Sequence, residues 1–147
     1  MTTERSSSAS ETEAIGARLA GGLRPGDIVL VRGELGVGKT TLIRGACGEL
    51  GVSEPVVSPT FTIGRRYRGR VPVSHLDLFR LESPGGEDPG LLDDYLAPDA
   101  VVFIERPPVA APLLDDERRV ALRVDLRHAG GDERDITIAR NQGRDPG

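Results

Sequence analysis

The sequence predicts an α/β domain, with a sheet of mainly parallel core, antiparallel hairpins and helices on both faces. Three observations predict it. Two short, unbroken apolar runs, Ile28-Val29-Leu30-Val31 and Ala100-Val101-Val102-Phe103-Ile104, have the pattern of strands buried on both faces. A glycine-rich loop follows the first run and leads straight into a helical pattern. Two later runs, Val120 to Leu126 and Asp135 to Ala139, flank Gly130-Gly131 as the arms of a hairpin would. The length of 147 residues suits one domain with a core large enough to fold unaided.

In chain order, the residues before Ser10 are polar and serine-rich, and residues 1–9 are expected to be a disordered tail. Ser10-Glu11-Thr12-Glu13 has the form of a capping box. Ala14, Ile15, Ala17, Leu19 and Leu23 follow at approximate helical spacing, with Gly21-Gly22 as the stop. Pro25-Gly26-Asp27 turns the chain into the first buried strand. Gly33 to Gly38 is the loop, and Lys39 to about Leu50 is the second helix, ending near Gly51. Phe61-Thr62-Ile63 and Val71 to Leu78 bracket a turn at Arg68-Gly69-Arg70, which predicts a hairpin, with Pro72 favouring an edge or entry position. Ser83 to Gly90 (SPGGEDPG) reads as a mobile loop and Leu91 to Leu96 as a short helix. The second buried strand ends on Glu105. The chain after Asn141 is expected to fray, which leaves residues 10–140 as the domain.

Composition excludes several functions. Against 19 basic residues stand 23 acidic ones, so the net charge of -4 provides no global basic field for nucleic acid. The single Cys47 rules out an internal disulfide and a cysteine zinc cage. No apolar run approaches the roughly 18 residues that span a bilayer, and MTTERSSSAS lacks the apolar core of a signal peptide. A cytoplasmic protein without a membrane partner is expected. The bases comprise 18 arginines and one lysine, Lys39.

That lysine stands in Gly33-Glu34-Leu35-Gly36-Val37-Gly38-Lys39-Thr40, a full match to G-x-x-x-x-G-K-[ST]. Glycines let successive backbone amides approach phosphates without a Cβ in the way. The lysine carries a compact cation to the β- and γ-phosphates. The threonine hydroxyl is a hard oxygen ligand for Mg²⁺, and the helix N-terminus adds a positive dipole end. In this composition a chance match has a probability on the order of 0.002. A nucleoside triphosphate with Mg²⁺ is therefore expected, held by Gly33, Glu34, Leu35, Gly36, Val37, Gly38, Lys39, Thr40 and Thr41, in a P-loop NTPase-like sheet.

Phosphoryl-transfer sites of this kind place an acid at a neighbouring strand tip. Glu105 ends a buried-strand pattern, at the carboxyl edge where open α/β sheets bind ligands. Asp77 lies in Ser74-His75-Leu76-Asp77-Leu78, where core-facing Leu76 and Leu78 would turn Asp77 and His75 to the other side. For both acids the competing reading is a surface ion pair with one of the many arginines. His75 reads first as a packing or hydrogen-bonding residue, His128 as a solvated turn residue and Cys47 as a small buried hydrophobe. Ser58-Pro59-Thr60-Phe61-Thr62 is either a switch loop that closes on the γ-phosphate or a proline turn entering a strand.

In order and spacing, GELGVGKTT, SPTFTI, HLDLFRL, DDYL and VVFIERP resemble the TsaE (YjeE) family over roughly Gly33 to Pro107. The resemblance implies a small P-loop ATPase that works with TsaB and TsaD in making threonylcarbamoyladenosine on tRNA, touching the tRNA only through that complex. It implies Lys39 and Thr40 as the Walker A lysine and the Mg²⁺ ligand, and Ser58 to Thr62, with Thr60, as a switch contacting the nucleotide. It implies Asp77 as the Walker B-type acid and Glu105 as a second acid at the metal. Lys39, Asp77 and Glu105 are thus the expected catalytic set. The chain departs from the family at Arg106, where tryptophan is usual, and in SPGGEDPG, where an acidic helix-forming segment is usual.

A small-molecule kinase would share the phosphate loop but need a second substrate pocket. A GTPase is disfavoured, because the only asparagine, Asn141, is in the tail and no aspartate opens a D-x-x-G. Arg65, Arg66, Arg68 and Arg70 form a local basic patch that reads either as a contact for tRNA phosphate or an acidic partner, or as a charged hairpin edge that resists aggregation.

Overall fold

Buried-strand runs and helical periodicity resolve into nine elements in the computed structural model, which describes residues 1–34, 36–56, 64–77, 96–106 and 120–141. They are β1 (Thr2–Ser6), α1 (Ala9–Ala20), β2 (Ile28–Arg32), α2 (Lys39–Glu49), β3 (Gly64–Arg68), β4 (Pro72–Asp77), β5 (Val101–Arg106), β6 (Val120–His128) and β7 (Arg134–Arg140). The strands form one sheet in the order β1-β7-β6-β2-β5-β4-β3. The pairs β6–β2, β2–β5 and β5–β4 are parallel, and the flanking pairs β1–β7, β7–β6 and β4–β3 are antiparallel. This is the mainly parallel core with antiparallel hairpins that the sequence predicts.

Ile28 to Val31 are all buried, as an unbroken apolar run in a central parallel strand requires. Alternation then divides them between faces. Val29, Val31, Val73, Val101 and Phe103 pack with Ile15, Leu19, Leu42, Ile43 and Ala46 of the two helices. Ile28, Leu30, Leu76, Val102, Ile104 and Val120 form a second cluster with Leu96 and Ala97 on the opposite face. Among the described residues both helices lie on the first face, so the expected helical cover is seen on one side.

The two helices meet backbone to backbone. A Cβ on Gly16 would stand 2.0 Å from the Leu42 carbonyl oxygen, and one on Gly45 would stand 2.0 Å from that of Glu13. Only glycine allows this approach, which fixes α1 against the helix that follows the Gly33–Gly38 loop.

The start of the chain corrects an expectation. Residues 1–9 are not a disordered tail: Thr2–Ser6 is an edge strand on β7, with Thr2 opposite Ile138 and Ser6 opposite Arg134. Its residues are polar because an edge strand has one partner and much solvent, so composition resembles that of a tail. Ion pairs from Arg5 to Asp135 (2.6 Å) and Glu133 (3.2 Å) replace apolar packing. The helix also begins two residues early. Ser8, not Ser10, is the N-cap, accepting from the Glu11 amide at 3.1 Å while the Glu11 carboxylate accepts from the Ser7 amide at 2.9 Å. Both Ser8-x-x-Glu11 and Ser10-x-x-Glu13 fit a capping box. The buried hydrogen bond between Ser6 and Thr12 (2.7 Å) holds the helix to the strand at the earlier one.

The predicted hairpin exists with its first arm at Gly64–Arg68, an edge strand on which Arg65, Arg66 and Arg68 are exposed and Tyr67 is buried. Residues 61–63 of the expected arm, the 83–90 loop, residues 91–95 of the expected short helix and the tail at 142–147 lie outside the described residues. The hairpin across Gly130-Gly131 is as expected, with β6 and β7 paired from Leu122–Arg140 to His128–Arg134.

Gly45→Ala is expected to cost at least about 1–3 kcal/mol in urea denaturation, the usual penalty of overpacking. Gly48→Ala, on the same helix with nothing within 4 Å of its added Cβ, should be neutral or stabilise by up to about 1 kcal/mol. Burial pushes the Cys47 thiol up to about 12. Native protein at pH 8 should accordingly resist a thiol reagent that labels it fully once unfolded.

Candidate functional site

The loop between β2 and α2 is shaped by close approach and by left-handed backbone. A Cβ on Gly33 would lie 2.8 Å from the Leu126 carbonyl oxygen and 2.7 Å from Val37 Cγ1, so no larger residue fits there. Gly36 (φ 78°) and Gly38 (φ 110°) adopt conformations that favour glycine. Gly38 caps α2 without any side-chain hydrogen bond, so the amides of the first turn have no side-chain acceptor at the cap. Arg134 of β7 braces the loop from outside, donating Nε to the Val37 carbonyl at 3.0 Å and Nη1 to those of Gly131 and Glu133 at 2.8 and 2.9 Å.

Lys39 opens α2 and is buried. Its Nζ donates to the Gly33 carbonyl at 2.7 Å and the Glu34 carbonyl at 2.8 Å, so the ammonium lies within the loop it belongs to. Burial lowers its pKa, and the charges of Glu105 and Asp77 work against that shift.

The next residue ties the loop to the sheet. Thr40 Oγ1 donates to Glu105 Oε1 at 2.8 Å. Glu105 is 3% exposed, beside the tip of β5, and pairs in register with Asp77 of β4 on one side and Val31 of β2 on the other. Its second oxygen, Oε2, stands 3.2 Å from His75 Nε2, with His75 0% exposed. Burial alone would push the Glu105 carboxyl up, yet His75, the Thr40 hydroxyl and the Lys39 charge together hold it below its ordinary value. A buried acid that stays ionised beside a hydroxyl offers two hard oxygens to a divalent cation. Mg²⁺ takes one or two protein oxygens and completes its shell with phosphate and water, so this donor set fits it. Among the described residues no group of three or more His, Cys, Asp or Glu side chains is arranged to hold a metal by itself.

Two clefts flank the loop, each of about 360 Å³. One is lined by Ser7, Ser8, Thr12, Gly36, Thr41 and Arg134, between the start of α1 and the loop. The other is lined by Arg32, Glu34, Asp125, Leu126, Arg127 and His128, and there Arg32 donates to both carboxylate oxygens of Asp125 at 2.7 and 3.1 Å.

The structure thus brings Gly33, Glu34, Gly36, Val37, Gly38, Lys39, Thr40 and Thr41 into one loop and helix start, with Asp77 and Glu105 on adjacent strands behind it. Both acids are buried at strand tips, not at the surface. Leu35, the 58–62 segment with Thr60, and the side chain of Arg106 lie outside the described residues. His128 is exposed at the end of β6. Sequence reasoning missed Ser7, Ser8, Thr12 and Arg134. The serines sat in the expected tail, and nothing local marks an arginine that acts on a loop 97 residues away.

The family model described as "Threonylcarbamoyl adenosine biosynthesis protein TsaE" matches residues 6–136. The chain belongs to the TsaE family. It is 40% identical to the tRNA threonylcarbamoyladenosine biosynthesis protein TsaE of Bacillus subtilis, over 87% of this chain and 78% of that protein. It is also 40% identical to the protein of the same name from Streptomyces coelicolor, over 82% of each. The fold is similar to the crystal structure of Bacillus subtilis YdiB, with a TM-score of 0.71 and 31% identity over 95% of this chain and 84% of that one. TsaE-family proteins take part in tRNA threonylcarbamoyladenosine biosynthesis, and that is the process to which this chain belongs. Among the described residues no helix is long and apolar enough to cross a membrane.

For the nucleoside triphosphate that the loop motif leads one to expect, Arg134→Ala should weaken binding about tenfold (~1.4 kcal/mol) by releasing the Val37 end of the loop. Titration calorimetry would check it, and unchanged affinity would show that the loop keeps its shape without this brace.

Proposed function

We propose that the chain is a Mg²⁺-dependent ATPase that supports threonylcarbamoyladenosine formation on tRNA by engaging a TsaB–TsaD pair when ATP is bound and resetting it on hydrolysis. The observation that carries this reading is the Thr40–Glu105 hydrogen bond, which couples a complete phosphate loop to an ionised acid inside the sheet. The amide end of α2 and Lys39 bind the β- and γ-phosphates. Thr41 and the cleft with Ser7, Ser8 and Thr12 take the nucleoside side. Mg²⁺, when bound, neutralises charge between the phosphates, and Thr40 Oγ1 with Glu105 would hold it. Asp77, beside Glu105, orients the attacking water. Thr60, in the 58–62 segment, closes over the γ-phosphate in the role the family resemblance gives it. The protein works in the cytoplasm and meets tRNA through the complex.

Membership in a tRNA-modification family favours this role over a small-molecule kinase, for which the same loop would serve. Turnover that appeared only on adding a small metabolite would sink the proposal. So would equal retention of TsaB and TsaD with and without ATP in co-purification.

Lys39→Ala should lower ATP affinity at least 100-fold. Glu105→Ala should keep metal-free ATP binding within about twofold while losing most of the gain that Mg²⁺ brings, and Asp77→Ala should cut turnover by about 10²-fold or more at near-normal ATP affinity. Unchanged turnover in Glu105→Ala would remove that residue from the site.

A further inference from the structure

His75 is a buried titratable side chain to which the proposed reaction gives no part. It lies on β4 two residues before Asp77, and its register partner on β5 is Phe103, two residues before Glu105. Parallel pairing with a two-residue repeat turns His75, Asp77, Phe103 and Glu105 to the same face, the one covered by α2. The Glu105 side chain therefore reaches back along the strand toward His75, and Nε2 meets Oε2 at 3.2 Å. The contact is a close approach of ring nitrogen to carboxylate, since neither ring nitrogen has a well-formed hydrogen-bond partner among the described residues. A fully buried imidazole placed only to fill space would be costly compared with leucine.

The geometry of Glu105 accounts for its presence. The carboxylate has one oxygen on Thr40 and the other on His75. A glutamate has three side-chain torsions, and one contact leaves the group free to rotate about it. A second contact on the opposite oxygen removes that freedom before any ligand arrives.

We propose that His75 is a positioning residue: it holds Glu105 Oε2 so that Oε1 remains beside Thr40, pre-setting the carboxylate for the divalent cation that accompanies the nucleotide. This rests on the proposed reading of Thr40 and Glu105 as the Mg²⁺ side of the site.

The test is equilibrium binding of a non-hydrolysable ATP analogue to the full-length chain, with Mg²⁺ titrated at one fixed pH. His75→Leu should leave metal-free affinity for the analogue within about twofold and raise the Mg²⁺ concentration for half-maximal enhancement about 10- to 100-fold. His75→Gln, whose amide can reach the same carboxylate oxygen, should recover most of that loss. In a Glu105→Gln background, His75→Leu should add nothing further. Metal-free binding of the analogue reports folding. If the leucine variant does not fold, His75→Asn, polar but too short to reach Oε2, takes its place with the same expected shift. A wild-type Mg²⁺ midpoint in the leucine or asparagine variant overturns the positioning role, as does equal impairment of the glutamine and leucine variants. Absence of any Mg²⁺ enhancement in the wild type overturns the reading of Thr40 and Glu105 as well, which separates the two failures.

Discussion

The contact between the Thr40 hydroxyl and the Glu105 carboxylate is the joint on which the rest of the structure depends. It requires α2 to start as soon as the loop ends, β5 to carry its acid just beyond its apolar run, and a carboxylate to remain ionised while buried. The last requirement is the hardest, because removing a charge from water costs several kcal/mol even after relaxation. The cost is offset locally: Lys39, Thr40 and His75 all favour the anion. The result is a small polar cluster at the carboxyl rim of an otherwise apolar interior. Stability comes from elsewhere, chiefly the packing of both helices on Val29, Val31, Val101 and Phe103.

That packing also sets the dimensions of the site. Because α1 touches α2 through glycine backbones at Gly16 and Gly45, the spacing of the two helices is limited by main-chain contact, with no side chain to adjust it. Ser8 and Thr12 stand at the start of α1, and Thr41 stands at the start of α2, so the same contact fixes two walls of the cleft between them. Arg134 fixes the third by holding Val37 to the β6–β7 turn. The α1–α2 side of the cleft is therefore fixed by main chain. At the carboxyl edge of the sheet Glu105 is held instead by side chains, with Thr40 on one carboxylate oxygen and His75 on the other.

What the sequence could disclose follows from how local each signal is. The glycine-shaped loop before α2 was legible because its motif sets fixed residue types at fixed spacing within one short stretch of chain. Glu105 was legible because a fully apolar run ending on an acid sets that acid at the carboxyl edge of a parallel sheet. Asp77 was less so: its neighbour Leu76 alternates correctly, but only the β4–β5 register places it beside Glu105. β1 was not legible at all, since an edge strand held by Arg5 ion pairs has the composition of a solvated tail. The helix start was ambiguous because two serine–glutamate pairs offered the same cap and only the Ser6–Thr12 bond distinguishes them. Arg134 and His75 share a deeper difficulty. Their partners are a loop carbonyl and a carboxylate brought near by sheet order, and sheet order is a property of the whole chain.

The lone lysine of an arginine-rich chain is explained at the same level. Where a cation need only be solvated or paired at the surface, as on β3 or in the Arg5 and Arg32 ion pairs, this sequence uses arginine. At position 39 the cation is 6% exposed and sits between the carbonyls of Gly33 and Glu34, at 2.7 and 2.8 Å. An ammonium can turn its three donors to such a pair while staying a compact charge. A guanidinium presents instead a flat fork whose donors share a plane, a geometry suited to a carboxylate or phosphate edge more than to two carbonyls of one tight loop. The motif's glycine and its lysine meet at one residue: the backbone of Gly33, which leaves no room for a Cβ, also presents the carbonyl that accepts from Lys39.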